Sequence, residues 1–167
     1  MKKQSRKLIL SLILSTCLAF VATHGFAADY ESLKGLKSVK AVFDVRISNP
    51  KSAALNLKVI YDTYKGKSIM AVTQKPAFVV IFIGPSVKLM SKNKEGFSPE
   101  EQKSLDEIAN TISITAKDGI RMEICLVAAN IFGVDPGSFL PGLKLVPNGW
   151  VSLIGYEANG YCLVPAY

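Results

Sequence analysis

FVVIFIGPSVKLM, residues 78–90, decides the fold. Its first six side chains are all β-branched or aromatic, with no polar residue among them. A strand with one wet face alternates apolar and polar side chains. An unbroken run of this kind fits a strand covered on both faces, the position of an inner strand in a parallel sheet. Gly84 and Pro85 then end the run, and residues 86–90 are expected to form a short helical turn.

The same reading extends outward from this strand. Upstream, Val39, Ala41, Phe43, Val45 and Ile47 alternate with polar partners, so residues 39–47 read as a first strand. Asn49 is placed as an N-cap with Pro50 in the first helical position. Ala53, Ala54, Leu57, Ile60, Tyr61 and Tyr64 then mark one helix face, and Gly66 is expected to stop it. Downstream, residues 92–96 form a charged loop. Ser98, Pro99 and Glu101 open the next helix as a capping box, Leu105, Ile108, Ala109, Ile112 and Ala116 mark its core face, and Gly119 closes it.

Residues 121–125 read as a strand, 126–132 as a helix, 143–146 as a strand, 150–158 as a helix introduced by Asn148 and Gly149, and 161–164 as the last strand. Strands and helices alternate throughout. The expectation is a three-layer α/β domain over residues 28–167, with a mostly parallel sheet of about five strands.

The 167-residue chain carries 20 Lys and Arg against 13 Asp and Glu, a formal +7. The excess is concentrated at the start. Lys2, Lys3, Arg6 and Lys7 precede an uncharged apolar stretch over residues 8–22, and Gly25 and Ala27 supply small residues for a cut after Ala27. Residues 1–27 therefore read as a secretory signal peptide, which implies a periplasmic protein that leaves the membrane on cleavage. The apolar stretch is short for a membrane anchor, and Thr16 before Cys17 is a poor lipoprotein site. Without the leader, 16 basic residues face 13 acidic ones, or +3. That balance gives no case for a nucleic-acid partner.

The leader also holds the only histidine, His24, and one of the three cysteines, Cys17. A mature chain without histidine excludes Ser-His-Asp and Cys-His catalysis and histidine-rich zinc sites. Two cysteines alone do not build a structural zinc site or hold an iron–sulfur cluster. No metal and no cofactor is expected. Cys125 falls at a strand end immediately before a helix, where ligands gather in open α/β sheets and where helix amides favour a thiolate. It is the candidate nucleophile or sulfur acceptor; the alternative is a buried, space-filling cysteine. Cys162, inside the last strand, reads either as a small core residue or as a second thiol for Cys125, in a disulfide or as a resolving partner. Gly84, Pro85 and Ser86 form a turn able to bring amides to an anion. Lys88, Lys92 and Lys94 read as a small basic patch on a solvated loop, and Glu100, Glu101, Asp106 and Glu107 as a helix-start cluster serving the helix dipole.

Four segments together resemble the DsrE/DsrF-like family, small α/β proteins that include the sulfur-relay subunit TusD. They are VFDVRISNPKSAALN (42–56), FVVIFIGPSVKLM (78–90), EICLVAANIFGVD (123–135) and LKLVPNGWVSLIGYEANGY (143–161). The resemblance implies a flavodoxin-like layered sheet, oligomers such as trimers or hexamers, and persulfide sulfur passed between partner proteins; for this chain a homo-oligomer is expected. It matches Cys125 to the family's reactive cysteine, and Gly84, Pro85 and Asn148 to loops near that site. The expected function is an exported sulfur carrier or thiol acceptor acting through Cys125, with sulfurtransferase-like turnover left open. Its partners would be a sulfur donor or acceptor protein, or a small sulfur compound. The alternative is a non-catalytic, homo-oligomeric binding module in which Cys125 is structural.

Overall fold

The computed structural model describes residues 30–167; the expected leader, with Cys17 and His24, lies outside them. Among the described residues, five strands form one sheet in the order β4-β3-β2-β1-β5, and every neighbouring pair is parallel. The strands are β1 (Lys40–Val45), β2 (Ala77–Phe82), β3 (Arg121–Cys125), β4 (Lys144–Val146) and β5 (Cys162–Ala166). The long helices are α1 (Pro50–Tyr64), α3 (Pro99–Lys117) and α5 (Gly149–Ala158), and two single-turn helices, α2 (Lys67–Val72) and α4 (Leu126–Ile131), complete the set. No helix of the described residues is long and apolar enough to cross a membrane.

The apolar run is the central strand. Phe78, Val79, Val80, Ile81 and Phe82 are all buried, and β1 and β3 flank them. Burial on both faces is what removes the polar alternation from this strand. On one face α1 and α3 pack against each other, and Tyr64 of α1 meets Phe78 edge-on at 5.5 Å. On the other face α5 runs over β1, β2 and β3. The α1 start is capped by Asn49, whose Oδ1 accepts from the Ser52 N–H at 2.9 Å. The α3 start is a full capping box, in which the Ser98 N–H donates to Glu101 and the Glu101 N–H donates to the Ser98 hydroxyl. Those hydrogen bonds hold the Glu101 carboxyl below its ordinary value of 4.5.

Three details differ from the sequence reading. Gly66 is the N-cap of α2, with φ −62°, and not a left-handed stop. A Cβ there would stand 3.0 Å from the Thr63 carbonyl oxygen, so the missing side chain lets one helix turn directly into the next. The last strand is displaced to Cys162–Ala166 and includes Pro165. β5 is a sheet edge, where a missing backbone N–H is tolerated. As a result Cys162 is exposed and not a core residue. Finally, Asp44, one of the polar partners in β1, is buried at 2% exposure.

Candidate functional site

The parallel strands all end on the same side of the domain, and the ends of β1, β2 and β3 open into a cleft of about 230 Å³. Gly84, Cys125 and Asn148 line it together, with Arg46, Ile83, Val127, Ala128, Ile131, Phe132 and Trp150. Three of the expected site residues thus meet at one place. Pro85 is half-buried in the adjoining 3₁₀ turn, Gly84–Met90, and is not part of the lining. Gly84 makes the turn out of β2 at φ +65°. Ser86 fixes it, because its hydroxyl lies 2.8 Å from the Val45 carbonyl oxygen and 3.0 Å from that of Ile83. The ends of β1 and β2 are thereby tied at the cleft.

Cys125 is the last residue of β3 and the N-cap of α4. Its Sγ accepts the Ala128 N–H at 3.4 Å and the Gly149 N–H at 3.2 Å. Two converging backbone donors suit a sulfur that carries negative charge. The Asn148 side chain takes the Trp150 N–H at 3.0 Å and fixes the start of α5. Gly149 fits only because it lacks a side chain. A Cβ there would lie 2.8 Å from Ile83 Cγ1 and 3.1 Å from the Cys125 Cβ. The thiol is 2% exposed, so it forms the floor of the cleft rather than standing at its mouth.

Cys162 does not join this site. Both cysteines are free. Cys125 ends β3, whereas Cys162 begins β5 and pairs with Ala41 near the start of β1. Three inter-strand steps of about 4.8 Å separate their strands, and the two residues lie at opposite ends of the sheet. A bond between them within one chain needs Cα atoms within about 7 Å. The parallel order therefore overturns the intrachain disulfide and the resolving-thiol reading together.

Two charged pairs lie on the cleft side of the sheet, beneath or beside α5. Asp44, Ile81 and Glu123 share one rung, and each acid meets an arginine two residues away in sequence, Arg46 just past β1 and Arg121 at the start of β3. Arg46 Nε donates to Asp44 Oδ1 at 3.0 Å and Oδ2 at 2.9 Å, and Nη2 stands 2.8 Å from Oδ2. The hydrogen bond to Asp44 raises the Arg46 guanidinium above its already high value. The guanidinium carbon also lies 5.9 Å from the Trp150 ring centre and 5.8 Å from that of Tyr167.

Glu123 Oε1 accepts from Arg121 Nε and from the Tyr156 hydroxyl, the latter at 2.9 Å. Its Oε2 has no well-formed hydrogen bond among the described residues, although Ser152 stands close. Burial alone would push the Glu123 carboxyl up. The hydrogen bonds from Arg121 and Tyr156, with the nearby Ser152 hydroxyl, outweigh burial and hold it below 4.5. Burial and the Glu123 carboxylate push the Tyr156 hydroxyl up to about 12. This pair anchors the middle of α5, the helix whose first N–H reaches Cys125.

The basic patch is divided. Lys94 pairs with Asp106, and Lys88 sits 5.6 Å from the Phe132 ring centre. Among the described residues no cluster of three or more His, Cys, Asp or Glu side chains is arranged to hold a metal ion. Arg46 and Trp150 were missed as site residues. The signal for Arg46 was present: it follows the carboxyl end of β1, as Cys125 stands at that of β3.

A parallel open sheet with a thiol at the carboxyl end of an inner strand defines a small α/β protein with a cysteine-centred cleft. The chain belongs to the DsrE/DsrF-like family, whose profile matches residues 40–165. That family is associated with sulfur relay in general. A curated relative from Aquifex aeolicus (strain VF5), described only as an uncharacterized protein, is 24% identical over 129 residues. The match takes in 76% of this chain and 56% of that protein, so the chain spans little more than half of the relative's length.

Two solved structures share the fold. One is the protein of unknown function MTH1491 from Methanobacterium thermoautotrophicum, with TM-score 0.59 and 15% identity over 77% of this chain and 99% of that one. The other is the ychN protein from E. coli, with TM-score 0.51 and 12% identity over 76% and 98%.

Proposed function

We propose that this is an exported DsrE-family protein that carries sulfur on Cys125. Its thiolate would take a sulfane sulfur from a donor, hold it as a persulfide, and release it to another thiol. The observation that supports this most is the pair of N–H donors, from Ala128 and Gly149, converging on Sγ at the floor of a cleft. Thiol exchange needs a stabilised thiolate and a path for the second sulfur, and no histidine base. Burial of Cys125 points to small sulfur compounds as donors, or to a partner that opens the cleft. Cleavage after Ala27 would deliver the protein to the periplasm. Exposure of the native protein to a polysulfide, followed by peptide-resolved mass spectrometry, should find one added sulfur on Cys125, lost in Cys125→Ser. Uptake that is unchanged in Cys125→Ser would end the carrier reading.

A second reading is a homo-oligomeric binding module in which Cys125 only shapes the α5 start. Val127, Ile131 and Trp150 of the cleft lining favour it, with Val151 and Ile154 of α5, because these apolar side chains are all exposed. It requires that Cys125→Ala leave the assembly and its ligand binding intact while sulfur uptake proves absent in the wild type as well.

A further inference from the structure

We infer that Arg46 makes the Cys125 cleft selective for small sulfur donors with an anionic end, thiosulfate being the simplest. This rests on Cys125 accepting sulfur and adds the chemistry of what it accepts.

Of the residues that line the cleft, Arg46 is the only charged one; the other walls are mostly apolar. Asp44 compensates the charge from below, buried and outside the lining, so what the cleft itself meets is the guanidinium with its unused N–H donors, and those donors favour an anionic group over a cationic one. The guanidinium is also held in place. Asp44 engages its Nε and Nη2 and is the only hydrogen-bond acceptor it meets among the described residues, while Trp150 and Tyr167 lie beside it. A guanidinium has five N–H donors in a rigid fork, so a carboxylate on one edge leaves donors on the other.

Position agrees with this role. The strand order reverses between β1 and β5, so β1 is where the sheet changes direction of growth, and ligands of open α/β sheets settle outside the carboxyl ends at such a point. Arg46 stands one residue past β1, on the rung of Ile83 and Cys125, two strands from the thiol. The backbone separation is about 10 Å, a span that an arginine side chain and a small anion bridge together.

The chemistry needs a cation there. Cys125 first gives its proton to solvent. The thiolate then attacks the outer sulfur of thiosulfate. The Sγ–S bond forms, the bond from that sulfur to the sulfonate sulfur breaks, and sulfite leaves with its electron pair. The cysteine sulfur is oxidised to the persulfide, and thiosulfate is reduced to sulfite. A thiolate and a dianion repel each other on approach, and the departing sulfite keeps the negative charge. A fixed guanidinium offsets both. A neutral donor such as dimethyl trisulfide gains nothing from it.

The test uses the whole chain in a Cys162→Ser background, so that Cys125 is read alone. The rate of Cys125 modification by thiosulfate and by dimethyl trisulfide is followed by mass spectrometry, with sulfite release as a second readout for thiosulfate. Arg46→Gln should slow thiosulfate roughly tenfold or more, the loss of a hydrogen bond to a charged group, and leave the trisulfide within about twofold. Arg46→Lys should recover part of the thiosulfate rate. The double variant Asp44→Asn/Arg46→Gln removes both halves of the buried pair and should show the same discrimination if Arg46→Gln alone fails to fold. Equal slowing of both reagents, or of neither, overturns the role of Arg46. So does a wild type modified by the trisulfide but not by thiosulfate, and either result leaves the carrier reading intact. Modification by neither reagent until urea is added overturns the carrier reading itself.

Discussion

Beneath α1 and α3 the sheet presents Phe43, Val45, Phe78, Val80, Phe82, Met122 and Ile124; on its other face the same strands present Asp44, Arg46, Ile81, Ile83, Glu123 and Cys125. One face is hydrocarbon under two long helices. The other carries two acid–arginine pairs and a thiol under one short helix. The backbone geometry is common to both faces, so the side chains alone separate a region that stabilises from one that can bind and react. Burying a charge is costly unless it is paired and hydrogen-bonded, and here each buried acid has a dedicated arginine. The polar face gives up packing to hold α5, and through α5 the Gly149 N–H, against the Cys125 sulfur.

The comparison breaks most visibly on the apolar side. Phe82→Ala should cost about 3–5 kcal/mol in chemical denaturation, the usual penalty for an emptied aromatic core site. Any surviving folded protein should keep its Cys125 chemistry.

Glu123→Gln should cost about 2 kcal/mol, because Arg121 loses its ionised partner while staying partly solvated. It should also remove a pH dependence. The folded Glu123 carboxyl lies below its ordinary value, so the unfolded chain binds the extra proton as acid is added. Its contribution is complete above about 4.5 and disappears as pH falls through the lower folded value. The difference in unfolding free energy between wild type and Glu123→Gln should therefore shrink in acid. A difference constant from pH 7 to 3 would show that the pair is not the one described.

Tyr156→Phe is the alkaline counterpart. The folded hydroxyl is raised from 10 to about 12, so its stabilisation is full below pH 10 and fades as pH approaches 12. At neutral pH the loss should be about 1 kcal/mol, one hydrogen bond.

Gly149→Ala sharpens the comparison further. Its Cβ would crowd Ile83 and Cys125, so the α5 start must shift, at about 1–3 kcal/mol. Cys125 reactivity should fall by more than that stability loss accounts for, since the N–H on Sγ moves with the helix. Reactivity unchanged in a folded Gly149→Ala would detach that donor from the thiol's chemistry. The smallest effect belongs to Ser98→Ala, far from the cleft, which should lose about 1 kcal/mol with the capping box and nothing in thiol reactivity.

Much of this was legible in the sequence where a local pattern had a local cause. The run at β2 has no polar residue because both its faces are covered. Asn49 and Ser98 announced helix starts because capping is a contact within one turn. Cys125 could be placed at the cleft because a strand followed directly by a helix puts the junction residue at the carboxyl edge.

What remained hidden depended on which strands are neighbours. Alternation in β1 marks a face with polar residues, but it does not distinguish a charge in water from Asp44 held by Arg46. Pro165 marks β5 as an edge strand only once the strand is known to run through it, and nothing near Cys162 says that this residue is level with the start of β1. The burial of Cys125 likewise follows from Gly149, 24 residues away, closing over it.

The central claim is that the sulfur of Cys125 accepts and returns a second sulfur. Its most direct measurement is the mass of the Cys125 peptide from Cys162→Ser protein, taken after a sulfane donor is supplied and again after a free thiol is added. The expected result is a gain of one sulfur in the first spectrum and its disappearance in the second, matched by persulfide on the added thiol. A Cys125 peptide of unaltered mass in both spectra, from protein shown to be folded, would contradict it.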